Sequence, residues 1–363
     1  MHDLKDNKHK VLIMAGGTGG HIFPALAVAG ALTARGVEVA WLGRAEGMEA
    51  DIVAKAGLPL YPIQVGGLRG HGLQRLALAP WQLLRAVKQA RQHMQRWQPD
   101  LVLGFGGYAS GPGGVAAFLQ RTPLLIQEQN AVPGYTNRLL EKMAKKVFVA
   151  FPGAFAASKK VTITGNPLRY SLLQLLEPRT RLGSREGPVH ILVMGGSQGA
   201  KALNEAVPKA LKTALNAGTV RVRHQSGQRH YDAAVAAYAN MSGVEVLPFI
   251  DDMAAAYNWA DLVIARAGAA TVSEVAAIGL ASVLIPYPHA VDDHQTKNAA
   301  YLVQGGAARA IAEENSADLE NILTPAFLQR EALLTMAEAA YALGRKDATD
   351  IIVEESLGVL GAK

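Results

Sequence analysis

The chain has 363 residues, of which 50% are hydrophobic and 18% are charged, and its formal net charge is +6 at pH 7. This composition is typical of a globular α/β protein, and the length favours two domains. Because there is no cysteine, disulfides, thiolate metal sites and cysteine nucleophiles are excluded.

In the first half of the chain, short apolar runs alternate with helical stretches. The polar residues 1–10 lack the apolar core of a signal peptide, so we expect a cytoplasmic protein. The uncharged stretch 101–120 holds six glycines and a proline, which predicts strand, loop and helix start rather than a membrane span.

The predicted strands of the first half are Val11–Met14, Glu38–Leu42, Leu101–Leu103, Leu124–Gln127 and Lys146–Ala150. Such alternation indicates a parallel sheet with right-handed crossovers.

The second half repeats the alternation. A break is expected at 151–167, where glycines and prolines occur, and a polar stretch at 177–188 follows it. Residues 349–360 predict a terminal helix. The predicted strands are Ile191–Met194, Val220–His224, Val244–Pro248, Leu262–Ala265 and Ser282–Ile285.

A strand-and-glycine signature occurs twice, as VLIMAGGTGGH from Val11 and as ILVMGGSQGA from Ile191. Each copy predicts a buried strand, then glycines that let backbone approach a ligand, then a helix N-terminus with free N–H groups. Two copies predict two α/β domains, each aiming a phosphate-binding loop at the other. The dinucleotide fingerprint fails, because Ile22 stands where its last glycine is required and Gly43-Arg44 where a ribose carboxylate is expected. The Walker pattern fails as well, since no Gly-Lys-Ser/Thr triplet follows.

Between Asp51 and Asp100 the chain carries seven basic residues and no acidic one. Leucines and a tryptophan are interleaved with them, so the stretch predicts either a core helix with a solvated basic face or a docking surface for anionic lipid heads or a pyrophosphate-bearing substrate. Nucleic acid is a poorer third reading, because no recognised binding motif accompanies the charge. The residues predicted to dock on a membrane are Leu73, Leu76, Trp81, Leu84, Arg75, Arg85 and Lys88.

Several polar residues stand at the ends of predicted strands or the starts of helices. His21 lies where the first glycine loop enters its helix, and an imidazole there could accept a proton or hold a phosphate, although a lone histidine is more often structural. The amides of Gly195–Ser197 suit a diphosphate. Asn204, two turns into the following helix, is either a ligand contact or a polar surface residue.

Two later segments leave alternatives open. Glu274 follows the strand Leu262–Ala265 and could accept two ribose hydroxyls, or Thr271 to Glu274 could form a capping box. Asp292 and Asp293 are expected to cap a helix rather than to bind a metal, and no Asp-x-Asp triplet occurs in the chain. Gln295 offers the donor and acceptor that sugar hydroxyls require.

Seven motifs occur in order: Gly16–His21, Gly106–Pro112, Glu128–Asn130, Thr164–Pro167, Gly195–Ala200, Phe249–Met253 and Asp293–Gln295. Together they resemble, nearly end to end, the MurG family of bacterial glycosyltransferases, which add N-acetylglucosamine to the lipid-linked peptidoglycan precursor. The resemblance implies an α/β GT-B fold, in which two Rossmann-like domains face one another across a cleft that holds the active site.

The resemblance also implies the domain roles. Residues 1–165, with a C-terminal helix at about 345–363 packing back on them, would form the acceptor- and membrane-binding domain. Residues 166–344 would bind UDP-N-acetylglucosamine. The acceptor would be undecaprenyl-pyrophosphoryl-N-acetylmuramoyl-pentapeptide, and no cofactor or metal is expected.

By motif position, the resemblance assigns contacts to individual residues. Those expected to face the sugar and the acceptor are Thr18, Gly19, Gly20 and Asn130, and those beside uracil are Arg169 and the backbone of Ile250. Ser197 would hold the diphosphate of the donor, and Gln295 would hold the hydroxyls of the transferred sugar. Glu274 would hold the ribose. The nucleotide backbone would contact the turn formed by Ala269, Ala270, Thr271, Val272, Ser273 and Glu274. Two departures are noted: Ala265 and Ala267 flank Arg266 where relatives often carry a hydroxyl or thiol, and the segment 292–295 leaves His294 as an alternative to Gln295.

The implied reaction is an inverting, metal-independent transfer in which the acceptor's C4 hydroxyl attacks the anomeric carbon of the donor. His21 is the first candidate for the base, with Glu128 as its rival. The implied location is the cytoplasmic face of the cell membrane. The implied partners are an anionic membrane surface and, as candidates, other cell-wall synthesis proteins, and no nucleic acid is expected. Three rivals remain: a UDP-sugar 2-epimerase, a galactolipid synthase, and a non-catalytic UDP-sugar-binding scaffold at the membrane.

Overall fold

A computed structural model describes residues 8–65, 73–196 and 198–362, without the side chains of residues 48 and 73–79. The described chain forms two compact units. Unit 1 comprises the residues up to Arg169 together with those from Lys346 onward, and unit 2 comprises Tyr170–Arg345.

Unit 1 is built on a seven-stranded parallel sheet in the order β3-β2-β1-β4-β5-β6-β7. Its strands are β1 (Lys10–Met14), β2 (Glu38–Gly43), β3 (Leu60–Pro62), β4 (Leu101–Gly104), β5 (Leu124–Glu128), β6 (Lys146–Val149) and β7 (Val161–Ile163). The strand order reverses between β1 and β4, where Val11 pairs with Leu101. The parallel sheet predicted from the alternating pattern is confirmed.

The crossovers of unit 1 contain α1 (Gly19–Ala34), α2 (Met48–Lys55), α3 (Leu73–Trp97), α4 (Ser110–Leu119) and α5 (Tyr135–Leu140). Helix α1 is rich in alanine and buries Ile22, Val28 and Leu32 against the sheet. Helix α3 buries Ala86, Ala90 and Met94, which lie four residues apart on one face. Stretch 101–120 is strand, loop and helix, as predicted.

Unit 2 is built on a six-stranded parallel sheet in the order β10-β9-β8-β11-β12-β13. Its strands are β8 (Val189–Met194), β9 (Val220–Gln225), β10 (Val244–Leu247), β11 (Leu262–Ala265), β12 (Ala281–Leu284) and β13 (Ala308–Ala310). Its helices are α6 (Tyr170–Leu173), α7 (Pro178–Leu182), α8 (Lys201–Asn216), α9 (Tyr231–Ala237), α10 (Met253–Trp259), α11 (Ala269–Ile278), α12 (His294–Gln304), α13 (Leu319–Ile322) and α14 (Arg330–Leu343).

The predicted terminal helix is present as α15 (Ala348–Gly361) and belongs to unit 1. It packs on α1 and buries Ile352, Val353, Val359 and Leu360 in the same core as β1. Two ion pairs border this contact, Arg35–Glu354 at 2.7 Å and Lys146–Glu355 at 3.0 Å. Apolar burial is the main source of stability here, because exposed ion pairs contribute little.

Three strands were not predicted, and each is a three-residue strand at the edge of its sheet. They are β3, β7 and β13, and most of their residues are half-buried or exposed. Strand β7 lies inside the stretch predicted as a break, and helix α7 lies inside the polar stretch 177–188. Neither element was predicted from the sequence, because an edge strand needs no long apolar run and a short helix can begin at Pro178.

No helix in the described ranges is long and apolar enough to cross a bilayer.

Candidate active site

The polar residues predicted in unit 1 meet at the carboxyl edge of its sheet. In a parallel sheet, the crevice beyond the strand ends at the point where strand order reverses is the usual ligand site. In unit 1 that point is between β1 and β4, and the loops after β1, β4 and β5 carry Thr18–His21, Gly106–Tyr108 and Glu128–Asn130. Local sequence therefore places these three motifs beside one another.

His21 is the third residue of α1 and is half-buried. The Oγ1 of Thr18, the N-cap residue, lies 3.0 Å from its Nδ1. When Nδ1 donates to that hydroxyl, Nε2 is the unprotonated nitrogen of the neutral imidazole. The ring edge packs over Gly106, whose added Cβ would come within 2.9 Å of the His21 ring, so both sides of the imidazole are fixed.

The loops after β1 and β4 are in direct backbone contact. At Gly107 (φ +77) an added Cβ would overlap the carbonyl oxygen of Gly16, so only glycine fits there. The hydroxyl of Ser110 donates to the carbonyls of Met14 at 3.1 Å and Gly106 at 2.7 Å. These contacts hold the first glycine loop in one position.

Tyr108 lies flat against the first glycine loop and was not assigned a role from the sequence. An added Cβ on Gly16 would come within 3.1 Å of its ring, and its hydroxyl donates to the buried carboxylate of Glu49. Burial, with the Glu49 hydrogen bond, raises the pKa of Tyr108 above its ordinary value. Tyr108 therefore stays neutral and forms part of the wall of this edge.

Glu128 ends β5 and is 2% exposed. Its carboxylate accepts from the backbone N–H groups of Asn130 at 2.9 Å and Gly134 at 3.1 Å, and from the side-chain amide of Asn137 at 2.8 Å. Burial raises the pKa of Glu128, and these donors oppose that rise. With both oxygens engaged, Glu128 fixes the loop that presents Asn130.

Arg169, predicted beside uracil, lies at the end of unit 1. Its guanidinium sits over the ring of Phe23 on α1, 4.5 Å from the ring centroid. Its predicted contact with the nucleotide stays a prediction.

In unit 2 the strand order reverses between β8 and β11, and the predicted donor residues again lie beyond the carboxyl ends of the strands. Ser197, predicted to hold the diphosphate, lies outside the described residues. The glycine loop around it runs into α8, and Gly199 (φ +75) is packed so closely on Ser226 that a Cβ would overlap its carbonyl. The predicted loop-to-helix arrangement of the second signature is confirmed.

Helix α11 begins directly after β11 and carries the predicted ribose and nucleotide-backbone residues. Gly268 is its N-cap, so the first turn, which begins with Ala269 and Ala270, points its N–H groups toward this edge. Val272 is fully buried in the core, and Thr271 and Ser273 are half-buried. A ligand contact of Val272 could therefore use only its backbone.

Glu274 lies in the second turn of α11 and is 9% exposed. The hydroxyl of Tyr257, a fully buried residue of α10, donates to Glu274 Oε2 at 2.9 Å. The capping-box alternative is wrong, because Thr271 to Glu274 lies inside the helix rather than at its start. Tyr257 was not predicted, since its sequence context reads as an apolar helix.

Ile250 and Asn204 lie close to the end of β9. The backbone N–H of Ile250 donates to Oε1 of Gln225 at 3.0 Å. Asn204 is 5% exposed, and its amide donates to the carbonyl of Ser226 at 3.0 Å. The polar-surface alternative for Asn204 is wrong, because its side chain is buried and bonded inside unit 2.

Gln295 is the second residue of α12 and follows the loop after β12. The Oε1 of Gln295 accepts the backbone N–H of Tyr287 at 2.9 Å. The contact of Gln295 with the transferred sugar stays a prediction. Asp293 occupies the N-cap position of α12, as predicted, although its carboxylate accepts from the Thr296 hydroxyl at 2.6 Å rather than from a backbone N–H. Arg266 supports this loop by donating to the carbonyl of Ile285 at 3.1 Å.

The basic stretch predicted to dock on membranes forms α3. The prediction of a core helix with a solvated face is confirmed for its described part, since Ala86 and Ala90 enter the core while Trp81 and Leu84 are 73% and 61% exposed. The side chains of Arg85 and Lys88 are exposed beside them. The docking surface stays a prediction. The side chains of Leu73, Arg75 and Leu76 lie outside the described residues.

Two further observations concern the described parts of the chain. They contain no group of three or more histidine, aspartate or glutamate side chains placed to hold a metal ion. A groove of about 530 Å³ lies at the amino edge of the unit 2 sheet, between Arg221, Glu245 and Trp259. No predicted site residue lines this groove, which is remote from the glycine loops.

Comparison with known proteins follows the two units. The model of the glycosyltransferase family 28 N-terminal domain matches residues 11–149, and that of the family 28 C-terminal domain matches residues 190–352. A protein of Nitrosococcus oceani is 51% identical, with 96% of this chain and 98% of the relative covered. One of Aeromonas hydrophila is 50% identical, with 95% of each covered. Both are named UDP-N-acetylglucosamine--N-acetylmuramyl-(pentapeptide) pyrophosphoryl-undecaprenol N-acetylglucosamine transferase.

Solved structures agree. The crystal structure of Acinetobacter baumannii MurG has a TM-score of 0.83 at 42% identity, covering 97% of this chain and 99% of that one. A UDP-GlcNAc 2-epimerase from Neisseria meningitidis has a TM-score of 0.68 at 14% identity, covering 96% of this chain and 100% of that one. At that identity the likeness extends to the fold alone.

The two parallel α/β units, each matched by one domain of the same family, give the chain the GT-B fold. The enzyme class follows from the same matches, which make the protein a hexosyltransferase. The chain belongs to glycosyltransferase family 28, within the group of N-acetylglucosaminyltransferases that its relatives at about 50% identity represent.

Proposed function

We propose that the protein transfers N-acetylglucosamine from UDP-N-acetylglucosamine to the C4 hydroxyl of undecaprenyl-pyrophosphoryl-N-acetylmuramoyl-pentapeptide, in peptidoglycan synthesis. The observation that carries the proposal is identity of about 50%, over nearly the whole chain, to relatives named for this transfer. In the reaction the acceptor oxygen bonds to the anomeric carbon, and the bond from that carbon to the diphosphate breaks. The electron pair leaves on UDP and the sugar is inverted.

Unit 1 is proposed to bind the acceptor. Thr18, Gly19 and Gly20 lie at the N-terminus of α1, where free N–H groups favour an anionic or hydroxyl-rich ligand. Asn130 is held by Glu128 in the neighbouring loop, at the same sheet edge. A muramoyl sugar bound at this edge would contact both groups.

Unit 2 is proposed to bind the donor. Ser197 with the glycine loop would hold the diphosphate, Ile250 and Arg169 would lie beside uracil, and Gln295 would bind the transferred sugar. Glu274 would accept hydroxyls of the ribose, beside the first turn of α11. Charge that develops on the departing UDP would be stabilised by backbone N–H groups at these helix ends.

His21 is proposed as the base that accepts the proton of the C4 hydroxyl. It is half-buried at the carboxyl edge of the sheet, and the Thr18 hydroxyl 3.0 Å from its Nδ1 fixes the ring. Glu128 is the weaker candidate, because its carboxylate is 2% exposed and accepts several hydrogen bonds. We assign Glu128 the role of holding Asn130 and the loop that follows it.

The acceptor is a lipid, so the protein is proposed to bind the cytoplasmic face of the membrane through α3. Trp81 and Leu84 are exposed large apolar side chains, and Arg85 and Lys88 are exposed cations beside them. Aromatic and aliphatic side chains enter the headgroup boundary, while cations attract anionic lipid. Other proteins of cell-wall synthesis are further proposed partners.

The membrane proposal predicts a charge-dependent affinity. Sedimentation with vesicles that contain about 30% anionic lipid should retain the protein, and Arg85→Glu should weaken binding roughly tenfold or more, since each cation near the surface is worth about 1 kcal/mol and the change reverses one charge. Arg309→Glu, on the exposed edge strand β13 of unit 2, is the control and should bind like the wild type. Equal binding to neutral and anionic vesicles would contradict the electrostatic part.

The function itself is tested with the purified chain, UDP-N-acetylglucosamine and synthetic lipid-linked muramoyl-pentapeptide. We expect one disaccharide product per UDP released, with UDP-galactose a poor donor. An N-acetylmannosamine product would instead indicate an epimerase, and a galactosylated lipid would indicate a galactolipid synthase. Binding of the donor with no turnover on this acceptor would indicate a non-catalytic UDP-sugar-binding scaffold.

A further inference from the structure

One buried glutamine of unit 2 joins two loops of the proposed donor site. Gln225 is the last residue of β9 and is 5% exposed. Its Nε2 donates to the carbonyl oxygen of Gly196 at 3.0 Å, and its Oε1 accepts the N–H of Ile250 at 3.0 Å. Gly196 lies in the glycine loop after β8, and Ile250 follows β10. Because β9 lies between β8 and β10 in the sheet, one amide bridges the loops of both neighbours.

We propose that Gln225 is a positioning residue for the sugar nucleotide, which sets the separation between the loop for the diphosphate and the backbone for uracil. The inference rests on the proposed function, from which the roles of the two loops are taken. A planar amide suits the task, because it presents a donor to the carbonyl on one side and an acceptor to the N–H on the other. Leucine or methionine would satisfy neither group.

The end of β9 is itself held in place by a chain of buried polar groups. The imidazole of His224 lies 2.9 Å from the Oδ1 of Asn204 and 2.9 Å from the hydroxyl of Tyr238. Burial lowers the pKa of His224 to about 4, so the ring is neutral near pH 7, with one N–H and one lone pair for its two partners. Asn204 then donates to the carbonyl of Ser226, next to Gln225. These hydrogen bonds therefore fix the backbone next to Gln225, from which its side chain extends.

The glycine loop also touches this segment through its backbone. Added Cβ atoms would overlap the Ser226 carbonyl at Gly199 and would approach the Gln198 carbonyl at Gly227, and both glycines have positive φ. Glycine at both positions is what allows the two loops to meet. A change in the Gln225 contacts would consequently reach the diphosphate loop directly, without passing through the core.

The first test removes both hydrogen bonds at nearly constant volume with Gln225→Met. Two buried backbone groups would lose their partners, so the Kd for UDP, measured by calorimetry, should rise roughly tenfold or more. The KM for the lipid acceptor should not change, whereas a general loss of structure would alter both constants. Gln304→Met, on the exposed end of α12, is the matched control and should bind UDP like the wild type. A wild-type Kd in Gln225→Met would overturn the inference.

The second test uses Gln225→Glu, whose carboxylate at pH 8 would place an oxygen against the Gly196 carbonyl. A protonated carboxyl would restore both bonds, since its O–H can donate to Gly196 while its other oxygen accepts from Ile250. Burial favours protonation of such a group. The ratio of its Kd for UDP to the wild-type Kd should therefore fall several-fold between pH 8 and pH 5.5, while the ratio for Gln225→Met stays constant.

A ratio for Gln225→Glu that does not change with pH would overturn the inference, even if both variants bind UDP weakly. Thermal melting of each variant at both pH values checks that the native fold is compared. If the wild-type protein bound no UDP at either pH, the proposed function would be wrong and the inference with it. The two failures are thus distinguished by the wild-type measurement.

Discussion

His21→Ala is expected to lower kcat by about 10²- to 10⁴-fold at saturating donor and acceptor, the usual contribution of a general base. The Kd for UDP should not change, because His21 lies in unit 1 and the proposed nucleotide contacts lie chiefly in unit 2. Steady-state turnover and calorimetry of the same preparation separate the two quantities. Thr18→Val, which removes the hydroxyl beside Nδ1, should lower kcat less, since the base remains.

The control for this experiment is His9→Ala. His9 precedes β1 at the opposite edge of the same sheet and is exposed, 3.9 Å from Asp100. Its loss should leave kcat within about twofold of the wild type, as is usual for a surface substitution. Wild-type turnover of His21→Ala at saturating acceptor would show that another group takes the proton.

Glu274→Ala is expected to raise the Kd for UDP about 100-fold or more. Two hydrogen bonds from ribose hydroxyls to a carboxylate would be lost, each worth about 1.5–3 kcal/mol, and the buried Tyr257 hydroxyl would lose its acceptor. The KM for the lipid acceptor should stay at the wild-type value. Calorimetry with UDP and steady-state kinetics with varied acceptor provide the two readouts.

Tyr257→Phe is a milder variant for the same test, because it keeps the Glu274 carboxylate and removes one hydroxyl that orients it. Its Kd for UDP should rise only about fivefold, or about 1 kcal/mol, because the ribose keeps its carboxylate acceptor and only the orientation of that carboxylate is relaxed. Glu205→Ala is the control, since Glu205 is exposed on α8 and pairs only with Lys201 at 3.7 Å among the contacts described. If Glu274→Ala stays folded and binds UDP like the wild type, the ribose assignment is wrong.

The central strands of both sheets could be predicted because their sequences are continuous apolar runs. Val11–Met14 and Leu262–Ala265 are buried at every position. A strand covered on both faces is apolar throughout and therefore easy to recognise in the sequence. The edge strands β3 and β13 gave no such signal. Their residues are largely half-buried or exposed, and each is fixed as a strand by pairing with the strand before it, β2 or β12, across a connecting helix.

Those parts of the candidate site that contain glycine loops or family motifs could be predicted from the sequence. Gly16–His21 could be placed at a strand end because it follows an apolar run directly, and Glu274 could be placed in the helix that begins after another such run, Leu262–Ala265. Tyr257 and Gln225 could not, because their importance depends on what they touch across the fold. A tyrosine in an alanine-rich helix and a glutamine after a strand carry no local signature, and only the structure brings them to Glu274 and to Gly196.

The return of α15 to unit 1 affects how the protein is made. Four residues of α15 belong to the core around β1, whereas unit 2 is one uninterrupted segment. On the ribosome, unit 2 can therefore finish folding while the half that was synthesised first still waits for its last helix. Until α15 arrives, the apolar side chains of α1 that it covers stay exposed in the N-terminal half, and such a surface is a natural target for chaperones during translation.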